Sequence, residues 1–405
     1  MLISREEYME KFRRLKDKDI IKVITGIRRS GKSTLLKMFA QELKDNGIKD
    51  ENIILINFDK KKYRNINNID KLDNTIYELT KDLAGKIYLL LDEIQNVKDW
   101  EIAINSYMLD FNSDIYITGS NSQLLSGEFA TKLTGRTMEI NVHPLSFKEF
   151  YNHNKTETKQ ENLEKELLFN EYYRYGGMPF IYKISNEDRE EYIHSIINSI
   201  LFKDILSRYE IRDTLILEKL IEYIGDNTGN IFSSNSIHDY FKNEGINISS
   251  KTIYNYLTYL NQAYLINRVK REDIKSKKIL KLNEKYYFTD HSFINMGEKT
   301  EISGSVIENI VYMELLRRGY TITVGKEDKY EIDFVCKKKN KTRYVQVAKS
   351  LENNPKTKLR EFRPLKRIKN NNHKYVITKD NFDFSQDGIE HYDIIEFLLS
   401  NEILP

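Results

Sequence analysis

Cysteine is nearly missing from this sequence. Cys336 is the single thiol in 405 residues, so no internal disulfide can form and a reducing, intracellular setting is expected. Long apolar runs are missing too: nothing approaches the roughly 20 residues that cross a bilayer. The start, MLISREEYMEKF, lacks the apolar stretch of a secretory leader. A soluble, cytoplasmic protein with no membrane partner is expected. No charge of one sign dominates, since 64 Lys and Arg against 61 Asp and Glu leave a net charge of +3. Any attraction for a polyanion must therefore come from local patches. The seven histidines form no HExxH motif and join no cysteine pair, which excludes the common zinc sites. The length exceeds one ordinary core and predicts two to four domains.

What is present gathers first around Val23–Leu36, VITGIRRSGKSTLL. Here Gly26, Ile27, Arg28, Arg29, Ser30, Gly31, Lys32 and Ser33 fit G-x-x-x-x-G-K-[ST], the Walker A pattern of a phosphate-binding loop. The two glycines allow a turn whose backbone N–H groups wrap phosphates, and the helix that follows presents its partly positive end to the anion. Lys32 is long enough to reach the β- and γ-phosphates. The Ser33 hydroxyl is placed for Mg²⁺, and Thr34 offers a second hydroxyl. A β-branched run, Ile20–Ile24, predicts a buried strand before the loop, and Thr34–Leu43 predicts a helix after it. The phosphates of a nucleotide and Mg²⁺ are the ligands this context predicts.

Further strands are predicted at Asn52–Phe58 and Ile87–Leu91, the latter ending on Asp92-Glu93, a Walker B pair. An apolar strand delivers such acids to its C-terminal end, where open α/β sheets bind ligands. Asp92 is expected to hold the Mg²⁺ hydration shell and Glu93 to polarise the attacking water. After a fourth strand, Ile115–Thr118, Asn121 is the expected γ-phosphate sensor, with Ser120 second. Arg136, just before a fifth strand at Met138–Val142, is expected either to reach the γ-phosphate, in cis or from a neighbouring copy, or to be a plain surface arginine. Ser4-Arg-Glu-Glu7 predicts a capping box for a helix to about Leu15, and an Asn/Lys-rich loop follows Phe58.

The segments TGIRRSGKSTLL, LLLDEIQNVKDWE, ITGSNSQLLSGEFATKLTGR and HPLSFKEF, in this order and continuing through Tyr175-Gly-Gly-Met-Pro179, resemble the archaeal and bacterial AAA-type ATPases that carry a C-terminal domain of unknown function. The resemblance implies a P-loop NTPase α/β fold with a five-stranded parallel sheet of the additional-strand class. It also implies ATP with Mg²⁺, and the roles already given to Lys32, Ser33, Asp92 and Glu93. Gln95 and Trp100 match the pattern as well, Trp100 more as a packing residue. No Asn/Thr-Lys-x-Asp guanine reader is present, which favours adenine.

The remainder reads as further modules. The boundaries expected are 1–150 for the ATPase domain, 151–225 for a linker and helical lid, 226–300 for a winged-helix-like domain and 301–405 for a nuclease-like domain. Tyr151–Glu164 is polar and reads as an exposed linker. Asn235–Lys242 and a helix capped by Ser249 predict helix-turn-helix, with Leu265–Arg271 and Lys278–Leu282 as its β-wing. On DNA the second helix would present Ser250, Lys251, Tyr254 and Asn255, and the wing Lys275, Lys277 and Lys278.

From Gly304 an amphipathic helix, three strands, a helix and a strand resemble the PD-(D/E)XK nuclease fold, which places Glu308, Asp333, Gln346 and Ala348 at the catalytic positions. Such sites need carboxylates for Mg²⁺ and a lysine on the last strand. Gln346 is neutral, Ala348 has no amine, and Lys349 falls on the other strand face. A degenerate fold used for binding is the expectation, with a basic run at 356–369 for a phosphate backbone or as a solvated face including Glu352 and Glu361. An ATPase whose cycle switches these modules on DNA leads. An ATP-stimulated DNA endonuclease, and a signalling or protein-docking switch without nucleic acid, stay open, as does a homo-oligomer.

Overall fold

Ile21–Thr25 (β1) is buried at every position, the outcome of strands on both edges and helices on both faces. The computed structural model describes residues 3–122, 135–155, 161–211, 213–280, 283–294, 302–352 and 354–404. They fall into two compact units, Met1–His143 with Gln262–Tyr264, and Pro144–Asn261 with Leu265–Pro405.

In the first unit β1 joins Ile53–Asn57 (β2), Ile87–Asp92 (β3), Ser113–Thr118 (β4) and Thr137–Asn141 (β5) in a sheet of order β2-β3-β4-β1-β5. Every neighbouring pair is parallel. Such a sheet needs cover on both faces. Glu6–Leu15 (α1) and Lys32–Asp45 (α2) supply one cover, where Phe12, Phe39 and Tyr116 meet with ring centroids 4.8 to 5.7 Å apart. Ile69–Thr80 (α3) and Trp100–Asp110 (α4) supply the other with Leu72, Ile76, Trp100 and Ile104. Helix α3 lies inside the stretch read as an Asn/Lys-rich loop. Its cap is Asn68, which accepts the Lys71 N–H at 3.1 Å. Between β1 and β4 the Lys22 ammonium pairs with Asp114, both fully buried.

The capping box expected at Ser4 does not form. Arg5 stands at the cap without a side-chain cap bond, and its guanidinium donates to the Ser30 carbonyl at 2.9 Å, so the residue braces the phosphate loop instead.

In the second unit Phe147–Asn154 (α5) starts under a complete capping box of Ser146 and Glu149. The stretch expected as a linker is therefore helical through Asn154, and helical again from Glu161 in Glu161–Tyr175 (α6). Arg189–Ile200 (α7) runs into a π-helical turn, Leu201–Leu206, and then come Thr214–Asp226 (α8), Ser234–Asn243 (α9) and Ser250–Gln262 (α10). Ser249 caps α10, accepting the Thr252 N–H at 3.1 Å.

The predicted wing pairs differently. Ile266–Val269 (β6), Arg271–Asp273 (β7), Lys278–Ile279 (β8) and Lys285–Phe288 (β9) form two antiparallel pairs, β6 with β9 and β7 with β8. The buried Tyr286-Tyr287-Phe288 run outcompetes the exposed β8 for the inner place. β7 and β8 form one edge of a seven-stranded sheet, β14-β13-β12-β11-β10-β7-β8, with Thr321–Glu327 (β10), Tyr330–Lys338 (β11), Lys341–Val347 (β12), Lys374–Thr378 (β13) and Glu390–Asp393 (β14).

Gly304–Arg317 (α11) packs on this sheet and is buried at nine positions from Val306 to Leu315. It is thus enclosed rather than amphipathic, because β9 and Ile394–Leu399 (α13) cover it as well. Pro355–Arg367 (α12) packs on the sheet through Phe362 and Leu365.

Candidate nucleotide site at the strand ends

The four adjacent strands of the first sheet, β2-β3-β4-β1, end on polar residues, Asn57, Asp92, Thr118 and Thr25 in that order, and the edge strand β5 ends on Asn141 as well. Because the strands are parallel, all four reach the same edge, the ligand edge of open α/β sheets. The Thr118 hydroxyl donates to Asp92 Oδ1 at 2.6 Å and accepts the Glu93 N–H at 2.9 Å. The Asn57 amide donates to the other Asp92 oxygen. One hydroxyl therefore positions both acids. Sequence reasoning missed Asn57 and Thr118. Their one signal is place, since each is the polar residue that closes an apolar run.

The loop after β1 is built on two left-handed glycines. Gly26 has φ +131°, and a Cβ there would stand 2.2 Å from the Val142 carbonyl oxygen. Gly31, at φ 105°, caps α2. Lys32 is buried, and its ammonium donates to the carbonyls of Gly26 at 2.7 Å and Ile27 at 3.0 Å, inside the loop. Ser30 is buried with its hydroxyl unbonded among the described residues. Ser33 and Thr34 sit half-buried in the first turn of α2, Arg28 is half-buried and Arg29 exposed. An ammonium curled into the loop, an unbonded buried hydroxyl and a carboxylate at the strand end beside them fit a triphosphate with a divalent metal. Lys32 and backbone N–H groups suit the phosphates, and Ser33 and Asp92 suit the metal.

Glu93 is 8 % exposed and adopts left-handed backbone, φ 59° and ψ 46°, a conformation that costs a side-chain-bearing residue about 1 kcal/mol. Burial pushes its carboxyl above the usual range, while Lys32 and the Gln95 amide, 2.5 Å from Glu93 Oε2, draw it back. Ser120 and Asn121 are buried just past β4.

Of the places expected for Arg136, the one in cis does not fit. The Arg136 carbonyl accepts the N–H of Ile21, the first residue of β1. It therefore lies at the opposite end of the sheet, about 13 Å of strand from the loop, and does not reach phosphates there in cis.

In the second unit Glu308 on α11 and Asp333 on β11 come together around a residue the sequence did not single out, Lys285 on β9. Burial pushes the Glu308 carboxyl up to about 7, with Lys285 opposing and Asp333 adding. Gln346 is buried and bonded to Glu361, and Ala348 is buried. Glu361 is thus inside, not on the solvated face expected for α12.

On the basic run, Lys356, Arg360, Arg363, Lys366, Arg367 and Lys369 are exposed and Lys358 is half-buried. Several are already paired: Arg360 with Glu361 at 2.6 Å, Lys366 with Asp387 at 2.6 Å and Arg367 with Asp328 at 2.9 Å. Lys275, expected on phosphate, lies 2.6 Å from Asp328. On α10, Lys251 and Tyr254 are exposed, and Ser250 and Asn255 half-buried.

A five-stranded parallel sheet, with a Walker A loop after β1 and an acid pair closing β3, defines a P-loop NTPase of the AAA type. Its relatives place it further. The AAA domain family matches residues 18–151, and two domains of unknown function, DUF8612 and DUF4143, match 166–301 and 303–397. An uncharacterized protein of Haemophilus influenzae is 39% identical over 401 residues, covering 98% of this chain and 99% of its own. Uncharacterized protein MJ1544 of Methanocaldococcus jannaschii is 32% identical over 341 residues, 82% of this chain and 75% of its own. The Walker-type ATPase Paby2304 of Pyrococcus abyssi has the same fold, with a TM-score of 0.50 at 18% identity over 74% of this chain and 96% of its own. The chain belongs to the AAA-type ATPases with C-terminal domains of unknown function.

Proposed function

We propose that the chain hydrolyses ATP with Mg²⁺ at the strand ends and uses the cycle to change how its second unit engages DNA. The observation that carries the hydrolytic half is the shared hydroxyl of Thr118, which fixes Asp92 and the backbone of Glu93 at the edge reached by Lys32. Bound ATP with Mg²⁺ supplies the transferable phosphoryl group and a metal that neutralises its charge. The backbone from Gly26 to Gly31, with Ile27, Arg28, Arg29 and Ser30 between, cradles the phosphates, and Lys32 leaves its carbonyl partners for them. Ser33 and Asp92 hold the metal, with Thr34 beside them. Glu93, buried and raised, is suited to accept a proton from water. Asn121 senses the γ-phosphate, and Arg136 acts only if it is presented to a second copy.

DNA as partner is supported by the exposed Lys251 and Tyr254 on α10, a winged-helix-like surface, and by Lys356, Arg363 and Lys369 on or just after α12. We assign 151–225 as linker and lid, 226–300 as the winged-helix-like part and 301–405 as a nuclease-like module that binds without cutting.

The test is ATP turnover with and without DNA. Turnover must need Mg²⁺ and vanish in Lys32→Ala, and DNA must change the rate. DNA binding must also weaken steeply between low and moderate salt. Turnover that ignores DNA, with binding indifferent to salt, would favour a protein-docking switch instead. That second reading has its own support in a cleft of about 920 Å³ beside α12, lined by Ile274, Leu359, Phe362 and Ile368 together with basic residues such as Lys358 and Arg363.

A further inference from the structure

The residues that the nuclease resemblance would make metal ligands do not fit a divalent cation. Lys285 is 1 % exposed. Its Nζ stands 2.8 Å from Glu308 Oε1, 2.8 Å from Glu331 Oε1 and 3.2 Å from Asp333 Oδ1. Glu308 Oε1 also accepts the Tyr287 hydroxyl at 2.6 Å. The second oxygen of Asp333 accepts the Val347 N–H at 2.9 Å. Gln346 stands where an acid is needed. Its carbonyl accepts the Asp333 N–H at 2.8 Å and its amide donates to Glu361 at 2.7 Å. Ala348 brings no donor. A metal entering here would meet engaged oxygens and an ammonium already at their centre, and at such separations like charges in a buried setting repel strongly.

We propose that the Lys285 ammonium is the resident cation of this cluster, taking the place of a divalent metal, and that it makes the cluster a joint between β9 and the α11–β11 core rather than a hydrolytic centre. The chain positions support this second part. Lys285 and Tyr287 come from a strand that among the described residues pairs only with β6, Glu308 comes from α11, and Glu331 and Asp333 come from β11. The joint continues next door, where the Asn309 side chain accepts the Phe288 N–H at 2.8 Å and donates to the Phe288 carbonyl at 2.9 Å. The inference rests on the non-cutting reading of residues 301–405 and is independent of the nucleotide site.

The test uses nucleotide-free full-length protein with Mn²⁺ as probe. In an electron paramagnetic resonance titration the parent and Asp333→Asn should bind Mn²⁺ alike. Lys285→Ala should gain a site about tenfold or more tighter than any in the parent, and Lys285→Ala/Asp333→Asn should lose it. Should Lys285→Ala be too unstable to titrate, Lys285→Met/Glu331→Gln removes one charge of each sign and serves instead. Crystals of the parent soaked in Mn²⁺ decide without any variant, since an anomalous peak among Glu308, Asp333 and Gln346 overturns the proposal. Absence of the gained site overturns it too. Metal binding without DNA cleavage in the parent sinks this inference alone, whereas cleavage that Asp333→Asn abolishes sinks the non-cutting reading with it.

Discussion

At the scale of single residues, Walker A and B were legible because their chemistry is local: spacing along the chain fixes who can touch a phosphate. Thr118, Asn57 and Lys285 were not, because each owes its role to where a strand ends or which strand lies beside it. Thr118→Val tests the first of these. It keeps the shape but leaves the buried Glu93 N–H without its acceptor, so stability should fall by about 1–3 kcal/mol in urea denaturation. Nucleotide affinity should suffer more in Mg²⁺ than in chelator, because Asp92 also loses a donor.

Glu93→Gln should keep nucleotide binding and lower turnover by about 10²–10⁴-fold. Normal turnover in that variant would remove Glu93 from the chemistry. The same substitution should raise the thermal midpoint at neutral pH. The carboxyl of Glu93 is raised by burial, so the folded chain is penalised by its ionisation. The penalty is absent below the ordinary glutamate value of about 4.3, grows as pH climbs towards the raised folded value and is complete above it. The gap between parent and Glu93→Gln should therefore open with rising pH.

At the scale of elements, the fully buried strands β1 and β3 and the half-buried edge strand β2 are legible as apolar runs, and the order from α11 to β13 as alternating runs and helical spacing. Failures came where sequence carries little contrast. Helix α3 is fully buried at only Leu72 and Ile76 among its apolar residues, too thin a stripe among Asn and Lys to stand out. β14 and α13, of four and six residues, are too short for their periodicity to show in the sequence. The wing's pairing is not legible because both β8 and β9 lie within hairpin reach of β6, and the choice is made by burial.

Element packing also holds a charge pair, Lys22 on β1 with Asp114 on β4, both fully buried. Burial lowers the affinity of Lys22 for its proton against the pull of Asp114. Asp114→Ala leaves that ammonium unpaired and should cost about 3–5 kcal/mol, while Lys22→Met/Asp114→Leu should recover much of the loss. Equal denaturation midpoints for the single and double variants would show that the pairing is not what matters.

At the scale of the whole molecule, two units with separate cores predict two unfolding steps. A non-hydrolysable ATP analogue at about 100 times its dissociation constant should stabilise only the step of the first unit, by about 2.7 kcal/mol. A shift of both steps in calorimetry would mean the units unfold together. Among the described residues no helix is long and apolar enough to cross a membrane.

The first unit is also discontinuous, since it takes Gln262–Tyr264 from far down the chain. On the ribosome these three residues are added about 120 positions after His143, a delay of about 6–24 s at roughly 5–20 residues per second. The nascent nucleotide-binding unit therefore waits, incomplete, while much of its neighbour is still being translated.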